Sequence, residues 1–266
     1  MDYGEILFLG KCNNSCYYCL GNEMLKAKTV DNMDLKYNEL KNLDVFLGML
    51  NKENCKTIYL SSVETEPLLY KDISRLIDYL HTLGFNVGIR TNGRCNNIYG
   101  IIKKLDAEIS ISINSLNGKT NKKICGNIDI PDIDKICGEL SSINKKCRIT
   151  IVVNKYNYGE IFEIIDKLIQ YDCIEYVQLR KRYLYARCSD KNYLEDKTAY
   201  ETIKEELPLK YNCTISNFHE SMIYNIGSFK VSFWDDVFKK ESIESINYFS
   251  DGKISKNNLL VPGYEK

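Results

Sequence analysis

Short apolar runs alternate, over the first two thirds of the chain, with stretches whose apolar residues recur at helical spacing. The apolar runs predict strands over residues 5–9, 57–61, 85–90, 107–114, 147–153 and 175–179. The stretches between them predict helices over residues 35–50, 72–83, 97–105, 132–144 and 159–170. Strands that alternate with helices in this way are typical of a parallel sheet with right-handed crossovers.

Six such units predict an α/β fold, built as a partial (β/α)6 TIM-like barrel. A flavodoxin-like open sheet is the alternative arrangement of the same elements. Both architectures bind ligands at the C-terminal ends of the strands. The loops that follow the strands are therefore where we expect the functional residues.

The regular alternation stops after residue 182. A helix is predicted over residues 196–206, and strands over residues 228–234 and 246–249. We therefore predict a barrel domain over residues 1–182 and a small C-terminal extension, residues 183–266, that packs on it.

Composition narrows the class of protein. Among 266 residues, 36 are Lys or Arg and 36 are Asp or Glu, so the formal net charge is zero and no basic field favours nucleic acid or an acidic membrane. No apolar run reaches the roughly 18 residues of a transmembrane helix, and the N-terminus lacks the basic segment of a secretory signal. With eleven cysteines and no export signal, we expect a cytoplasmic protein with reduced thiols and no nucleic-acid or membrane partner.

Three cysteines directly after the first predicted strand carry the strongest chemical signal. Cys12, Cys16 and Cys19 have the spacing C-x3-C-x2-C, which is one ligand short of a closed four-coordinate site. A structural zinc would need a fourth ligand nearby, yet the histidines, His81 and His219, are distant in sequence. A redox C-x2-C pair would leave Cys12 unexplained. A [4Fe–4S] cluster with one open iron fits better, with zinc and unconnected thiols as the alternatives.

This segment resembles the cluster loop of the radical S-adenosylmethionine (radical SAM) superfamily. Tyr18 matches the aromatic residue usually found before the third cysteine, so the resemblance implies that it is a cofactor-binding residue. The resemblance implies a [4Fe–4S] cluster whose open iron is chelated by SAM. It also implies reductive cleavage of SAM to a 5′-deoxyadenosyl radical that abstracts a substrate hydrogen, with a flavodoxin- or ferredoxin-type protein as the electron donor.

Two further segments, which follow the second and third predicted strands, resemble segments that this family has after the same strands. After the second strand, Glu66 and Pro67 match the end of the Gly-Gly-Glu-Pro segment, although Glu64 and Thr65 replace the two glycines. The resemblance implies that Glu66, or alternatively Glu64, binds the amino group of SAM. After the third strand, Thr91-Asn92-Gly93 resembles the family's Thr-Asn-Gly segment, which predicts Thr91 and Asn92 as cofactor-binding residues.

The fourth strand and its loop, residues 109–117 and 123–126, resemble the molybdopterin-precursor-type branch of the family, and the end of the fifth strand also resembles the family. Ser112 and Asn114 share one face of the fourth strand and are predicted to contact the ribose or carboxylate of SAM. The family often has Asp where Asn114 stands and Arg where Cys125 stands. Asn154, at the end of the fifth strand, is a further predicted cofactor contact.

The sixth strand presents Gln178 and Arg180 on one face, where Arg180 is suited to the SAM carboxylate or to an anionic substrate. A salt bridge at the barrel rim is the alternative role for Arg180. Cys188 is a candidate hydrogen-atom donor to a product radical, with ordinary packing as the alternative. No C-x2-C pair follows Cys19, so an auxiliary cluster is not expected.

Three functions are consistent with these observations. The first is an enzyme that acts on a small biosynthetic metabolite. The start of the chain at the first predicted strand favours this function. The second is an enzyme that modifies a peptide or protein, either a peptide maturase or a glycyl-radical activase. The third is a structural metal protein without activity. Metal content and SAM binding separate the third from the other two.

Overall fold

The computed structural model describes residues 2–19, 31–62, 65–182, 192–218, 221–235 and 245–255. Its strands are β1 (Tyr3–Phe8), β2 (Thr57–Ser62), β3 (Asn86–Thr91), β4 (Ile109–Ser112), β5 (Cys147–Val153), β6 (Ile174–Lys181), β7 (Thr214–Phe218), β8 (Ser221–Ile226), β9 (Phe229–Trp234), β10 (Ser245–Phe249) and β11 (Ile254–Ser255). Its α-helices are α1 (Leu43–Lys52), α2 (Ile73–Thr82), α3 (Ile98–Lys104), α4 (Gly118–Cys125), α5 (Ile133–Ser142), α6 (Ile161–Leu168) and α7 (Tyr193–Lys210).

The chain divides into two compact units. Unit 1 comprises Met1–Ser15, Cys19–Ser110 and Ser242–Lys266, and unit 2 comprises Cys16–Tyr18 and Ile111–Glu241. The chain passes from the first unit to the second within β4. The predicted boundary between residues 182 and 183 stays a prediction.

In unit 1 the strand order is β11-β10-β1-β2-β3-β4. Strands β10, β1, β2 and β3 pair in parallel, and β11 pairs antiparallel with β10. Ile6, Leu7 and Phe8 of β1 are each at most 3% exposed. Such a continuous apolar run is what a parallel strand covered on both faces requires.

The helix predicted over residues 35–50 is interrupted. A 3₁₀ turn, Tyr37–Glu39, comes first, and α1 begins only at Leu43. The cause is local, because Asn42 has a φ of 59°, a left-handed conformation that no continuous α-helix accommodates. The rest of the prediction is confirmed, since Phe46 and Leu50, one turn apart on α1, are both fully buried.

In unit 2 the strand order is β4-β5-β6-β9-β8-β7. Strands β5, β6 and β9 pair in parallel, and β8 and β7 continue the sheet as an antiparallel hairpin. Helices α5 and α6 flank β5 in sequence and bury four apolar side chains each. In both units, strands β1 to β6 neighbour one another in chain order. The predicted fold class, an α/β protein of the partial TIM-like barrel type, is confirmed.

The C-terminal extension contributes to the sheets of both units. Helix α7 is longer than predicted and continues through Pro208 to Lys210. The predicted strands β9 and β10 are present and pair in parallel with β6 and β1, respectively. Helix α4 and the β7–β8 hairpin were not predicted. In the ranges that the structure describes, no helix combines the length and apolar character needed to cross a membrane.

We predict that β10 is essential to the core of unit 1. Tyr248 is fully buried, and its ring packs tilted against that of Phe46 with the centroids 5.4 Å apart. Its hydroxyl donates a hydrogen bond of 2.9 Å to the carbonyl of Lys41. Tyr248→Ala should lower the free energy of unfolding by about 3–5 kcal/mol, measured by denaturant titration. Tyr248→Phe, which removes only the hydrogen bond, should cost about 1 kcal/mol. Equal small losses in both variants would contradict this placement.

Candidate active site

The cysteine segment follows β1, and its part up to Ser15 belongs to unit 1. Cys12 is half-buried, and its Sγ accepts a hydrogen bond of 3.4 Å from the backbone N–H of Asn14. The hydroxyl of Thr65 donates a bond of 2.7 Å to the carbonyl of Lys11. This bond connects the loop after β2 to the cysteine segment, as expected for loops that follow adjacent parallel strands.

Glu66 is the most deeply buried acid of this site, with 2% of its surface exposed. Its Oε1 accepts from the backbone N–H of Leu68 at 3.1 Å and from the hydroxyl of Thr91. Its Oε2 accepts from the backbone N–H of Asn92 at 2.7 Å. Burial raises the pKa of the Glu66 carboxyl to about 7, and these hydrogen bonds oppose the rise because they favour the charged form.

Asn92 connects this carboxylate to the cysteine segment. Its Nδ2 donates a hydrogen bond of 2.6 Å to Oδ1 of Asn13 and lies 3.9 Å from Sγ of Cys12. The structure therefore brings together Cys12, Glu66, Thr91 and Asn92, which were singled out from separate segments of the sequence.

The Thr-Asn-Gly segment has a local reason to bend here. Gly93 has a φ of 71°, a left-handed conformation that favours glycine. Its backbone N–H donates a bond of 3.0 Å to Oγ1 of Thr91. The turn thus directs both the Thr91 hydroxyl and the Asn92 N–H at Glu66.

Three residues of this site were not identified from the sequence. Arg94 Nη1 donates to the carbonyl of Asn13 at 3.3 Å and to Oδ1 of Asn14. Asn13 Nδ2 lies 3.6 Å from Sγ of Cys95, and burial raises the pKa of the Cys95 thiol to about 11. Their positions in the sequence could have identified them, because Asn13 lies inside the cysteine motif and Arg94 and Cys95 directly follow Thr-Asn-Gly.

The residues present fit an iron–sulfur cluster. Cys12, Cys16 and Cys19 supply three thiol donors from one segment, and the N–H bond to Cys12 is of the kind that tunes cluster sulfurs. Burial raises the pKa of the Cys12 thiol to about 11, so binding of the cluster must displace its proton. Among the described residues, no three His, Cys, Asp or Glu side chains are grouped as the ligands of a single metal ion.

In unit 2, the predicted polar residues near β4 and β5 form a network of amides. Asn114 Oδ1 accepts from the N–H of Val152 at 3.3 Å, and its Nδ2 lies 3.5 Å from Sγ of Cys125. Asn154 is fully buried, and its Nδ2 donates to the carbonyl of Val152 at 2.9 Å. Both amides therefore bond to the backbone of Val152, near the end of β5. The predicted cofactor contacts of Ser112, Asn114 and Asn154 stay predictions.

Arg180 and Trp234 form a pair on β6 and β9 of unit 2. The two residues are register partners, and the guanidinium carbon lies 5.9 Å from the centre of the indole ring. Arg180 Nε donates a bond of 2.7 Å to Oε1 of Gln178, which holds the guanidinium in place. The pair combines a fixed cation with a flat aromatic surface.

Tyr18 is half-buried and its ring meets that of Tyr17 edge to face, with centroids 5.4 Å apart. The role predicted for Tyr18 in cofactor binding stays a prediction. Cys188, the candidate hydrogen-atom donor, and Glu64, the alternative to Glu66, lie outside the described residues.

We predict a pH-dependent cost of burying Glu66. Its pKa rises on folding from 4.5 to about 7, so the folded chain holds a proton that the unfolded chain releases between these pH values. Glu66 therefore lowers the free energy of unfolding as pH rises from about 4.5 to about 7. Above about pH 7 its contribution stays constant. Urea unfolding at several pH values should show this downward slope in the wild type and its loss in Glu66→Gln.

The measured quantity is the slope of the free energy of unfolding against pH. The absolute free energy is not compared, because the amide of Gln also changes the hydrogen bonds to Thr91 and Asn92. Glu163→Gln, on the surface of α6, is the control that should keep the wild-type slope. Identical slopes in the wild type and Glu66→Gln would contradict the raised pKa.

Comparison with known proteins gives two similar curated relatives. A GTP 3′,8-cyclase from Nautilia profundicola is 26% identical over 219 residues, which is 78% of this chain and 66% of that protein. An S-adenosylmethionine-dependent nucleotide dehydratase from Fibrobacter sp. is 26% identical over 217 residues, which is 78% of this chain and 63% of that protein. The chain thus spans slightly less than two thirds of the length of these relatives.

Solved structures share the fold. Streptococcus suis SuiB bound to S-adenosylmethionine has a TM-score of 0.65 at 16% identity, over 100% of this chain and 62% of SuiB. TYW1 with a bound lysine–pyruvate adduct has a TM-score of 0.52 at 18% identity, over 80% of this chain and 74% of that one. Residues 6–168, which include the cysteine motif, Glu66 and Thr-Asn-Gly, match the radical SAM superfamily. The chain belongs to the radical SAM superfamily, whose enzymes use a [4Fe–4S] cluster and S-adenosylmethionine.

Proposed function

We propose that this protein is an enzyme that reductively cleaves SAM and abstracts hydrogen from a nucleotide-type small molecule. The observation that carries the first part is the buried Glu66 carboxylate, which Asn92 connects to Asn13 and Cys12. A buried carboxylate beside a cysteine motif suits the binding of a cationic amino group next to a cluster.

A count of the hydrogen-bond acceptor positions on the Glu66 carboxylate supports this role. A carboxylate has about four lone-pair positions. Leu68 and Thr91 occupy Oε1, whereas Oε2 accepts from the Asn92 N–H. Counting the partners among the described residues, one position on Oε2 remains to receive the ammonium group of SAM.

Each part of the site then has a task. Cys12, Cys16 and Cys19 would hold the cluster, and Asn13 and its hydrogen-bonded neighbours would keep the segment in place. The bound cluster and SAM together supply a 5′-deoxyadenosyl radical. Glu66 would orient SAM through its amino group, and the surrounding chain would keep water from the radical.

Arg180 and Trp234 support a nucleotide-type substrate. A guanidinium suits a phosphate because it presents a planar array of donors, and an indole ring suits stacking on a base. Both curated relatives are named for nucleotide substrates, which agrees with this pair. The electron donor we propose is a flavodoxin- or ferredoxin-type protein in a reducing cytoplasm.

The first test is cleavage of SAM. After anaerobic reconstitution with iron and sulfide, the wild type should bind about four irons and form 5′-deoxyadenosine on reduction. Cys16→Ala should lose the product entirely, and Glu66→Gln should lower its rate at least about tenfold. Cys213→Ala, outside the motif, is the matched control and should keep the wild-type rate. Bound zinc without cleavage would contradict the proposal.

The second test identifies the substrate class. Nucleoside triphosphates should accelerate 5′-deoxyadenosine formation, and deuterium from a labelled nucleotide should appear in that product. Acceleration by peptides instead would favour the peptide-modifying alternative.

The role of Arg180 can be tested separately from cleavage. Arg180→Met should raise the KM for the nucleotide at least about tenfold while leaving cleavage of SAM without substrate unchanged. Lys181→Met, whose cation pairs with Glu201 at 3.4 Å, is the control and should keep the wild-type KM. An unchanged KM in Arg180→Met would place the anion site elsewhere.

A further inference from the structure

Asp196 is a fully buried carboxylate in the first turn of α7. Its Oδ1 accepts from the Tyr17 hydroxyl at 2.8 Å and from the backbone N–H of Lys155 at 3.0 Å. Its Oδ2 accepts from Arg182 Nη1 at 2.7 Å. Three directional bonds, one of them from the cation of Arg182, therefore converge on one buried carboxylate.

Tyr17 is held by more than its hydroxyl. The guanidinium carbon of Arg182 lies 4.9 Å from the centre of its ring, and the ring of Tyr156 meets it edge to face at 5.6 Å. The backbone N–H of Tyr17 donates a bond of 3.1 Å to the carbonyl of Ile124. Its main chain, its ring face and its hydroxyl thus all have partners in unit 2.

The position of Tyr17 in the sequence connects this hydrogen-bond network to the cysteine motif. Tyr17 lies directly after Cys16 and two residues before Cys19, whereas Asp196 is 179 residues away in the chain. A buried ion pair is costly compared with apolar packing, because both charges lose their hydration. In exchange, directional bonds specify one geometry more strictly than apolar contacts do.

We propose that Asp196, Arg182 and Tyr17 form a positioning network that sets the geometry of the cysteine segment. The C-terminal extension would then control how firmly the cluster is held and what its electronic environment is. These three residues would be positioning residues that act through Cys16, which directly precedes Tyr17 in the chain. This inference rests on the proposed function, because it requires that the segment hold a cluster.

The key variant is Tyr17→Phe, which removes one hydroxyl and keeps the ring against Arg182. Asp196→Asn keeps the size of the side chain and removes the charge that faces Arg182. Glu201→Gln is the matched control, since Glu201 lies on the same helix in exposed ion pairs with Lys181 and Lys197.

The first measurement is the rate at which a chelator removes iron from the anaerobically reconstituted protein. We expect removal to be about tenfold faster in Tyr17→Phe and in Asp196→Asn, the size typical of lost support around a metal site. Iron should leave the double variant less fast than the product of the two single effects predicts, because both changes act on one connected network around Asp196. Glu201→Gln should match the wild type.

Two further measurements separate positioning from general stability. The electron paramagnetic resonance spectrum of the reduced cluster should change in Tyr17→Phe. Amide hydrogen exchange in the apoprotein should be faster at residues 16–18 and unchanged in α6. Removal rates and spectra like those of the wild type in a folded Tyr17→Phe would overturn the inference. A wild type that binds no iron–sulfur cluster would instead overturn the proposed function.

Discussion

Parallel pairing of β1, β2 and β3 is the constraint on which the site of unit 1 depends. Parallel strands end at the same edge of their sheet, so the loops after them meet. The cysteine segment follows β1, Glu66 follows β2, and Asn92 follows Thr91 at the end of β3. A hydrogen-bonded route from Glu66 through Asn92 to Asn13 exists only because these three strand ends are neighbours.

Much of this arrangement was predictable from local patterns. Buried parallel strands give continuous apolar runs, and C-x3-C-x2-C is a specific spacing, so the strands, the fold class and the cysteines were identified. Helix α4 was missed because its segment, Gly118–Cys125, is mostly polar. Asn42 looks like an ordinary residue of the predicted helix 35–50, since a left-handed φ leaves no hydrophobic signature.

The residues that sequence reasoning missed act over long distances. Arg94 contacts Asn13 across 81 positions, and Asp196 contacts Tyr17 across 179. Periodicity reports which face of an element is buried, but it carries no information on which polar side chain meets which. Two of the buried carboxylates illustrate the point, since Glu66 accepts hydrogen bonds from the neutral donors of Leu68, Thr91 and Asn92, whereas Asp196 pairs with the cation of Arg182.

The pairing of β10 with β1 bears on how the protein is made. Ile6 is the register partner of Tyr248, although all of unit 2 lies between them in the chain. At about 5–20 residues per second, a ribosome needs roughly 12–50 s to synthesise the segment that separates them. During that time β1 has no β10 beside it, and contacts of such long range form slowly. Nascent chains therefore carry Cys12 on an incomplete sheet, so incorporation of iron and sulfide is best timed after translation rather than during it.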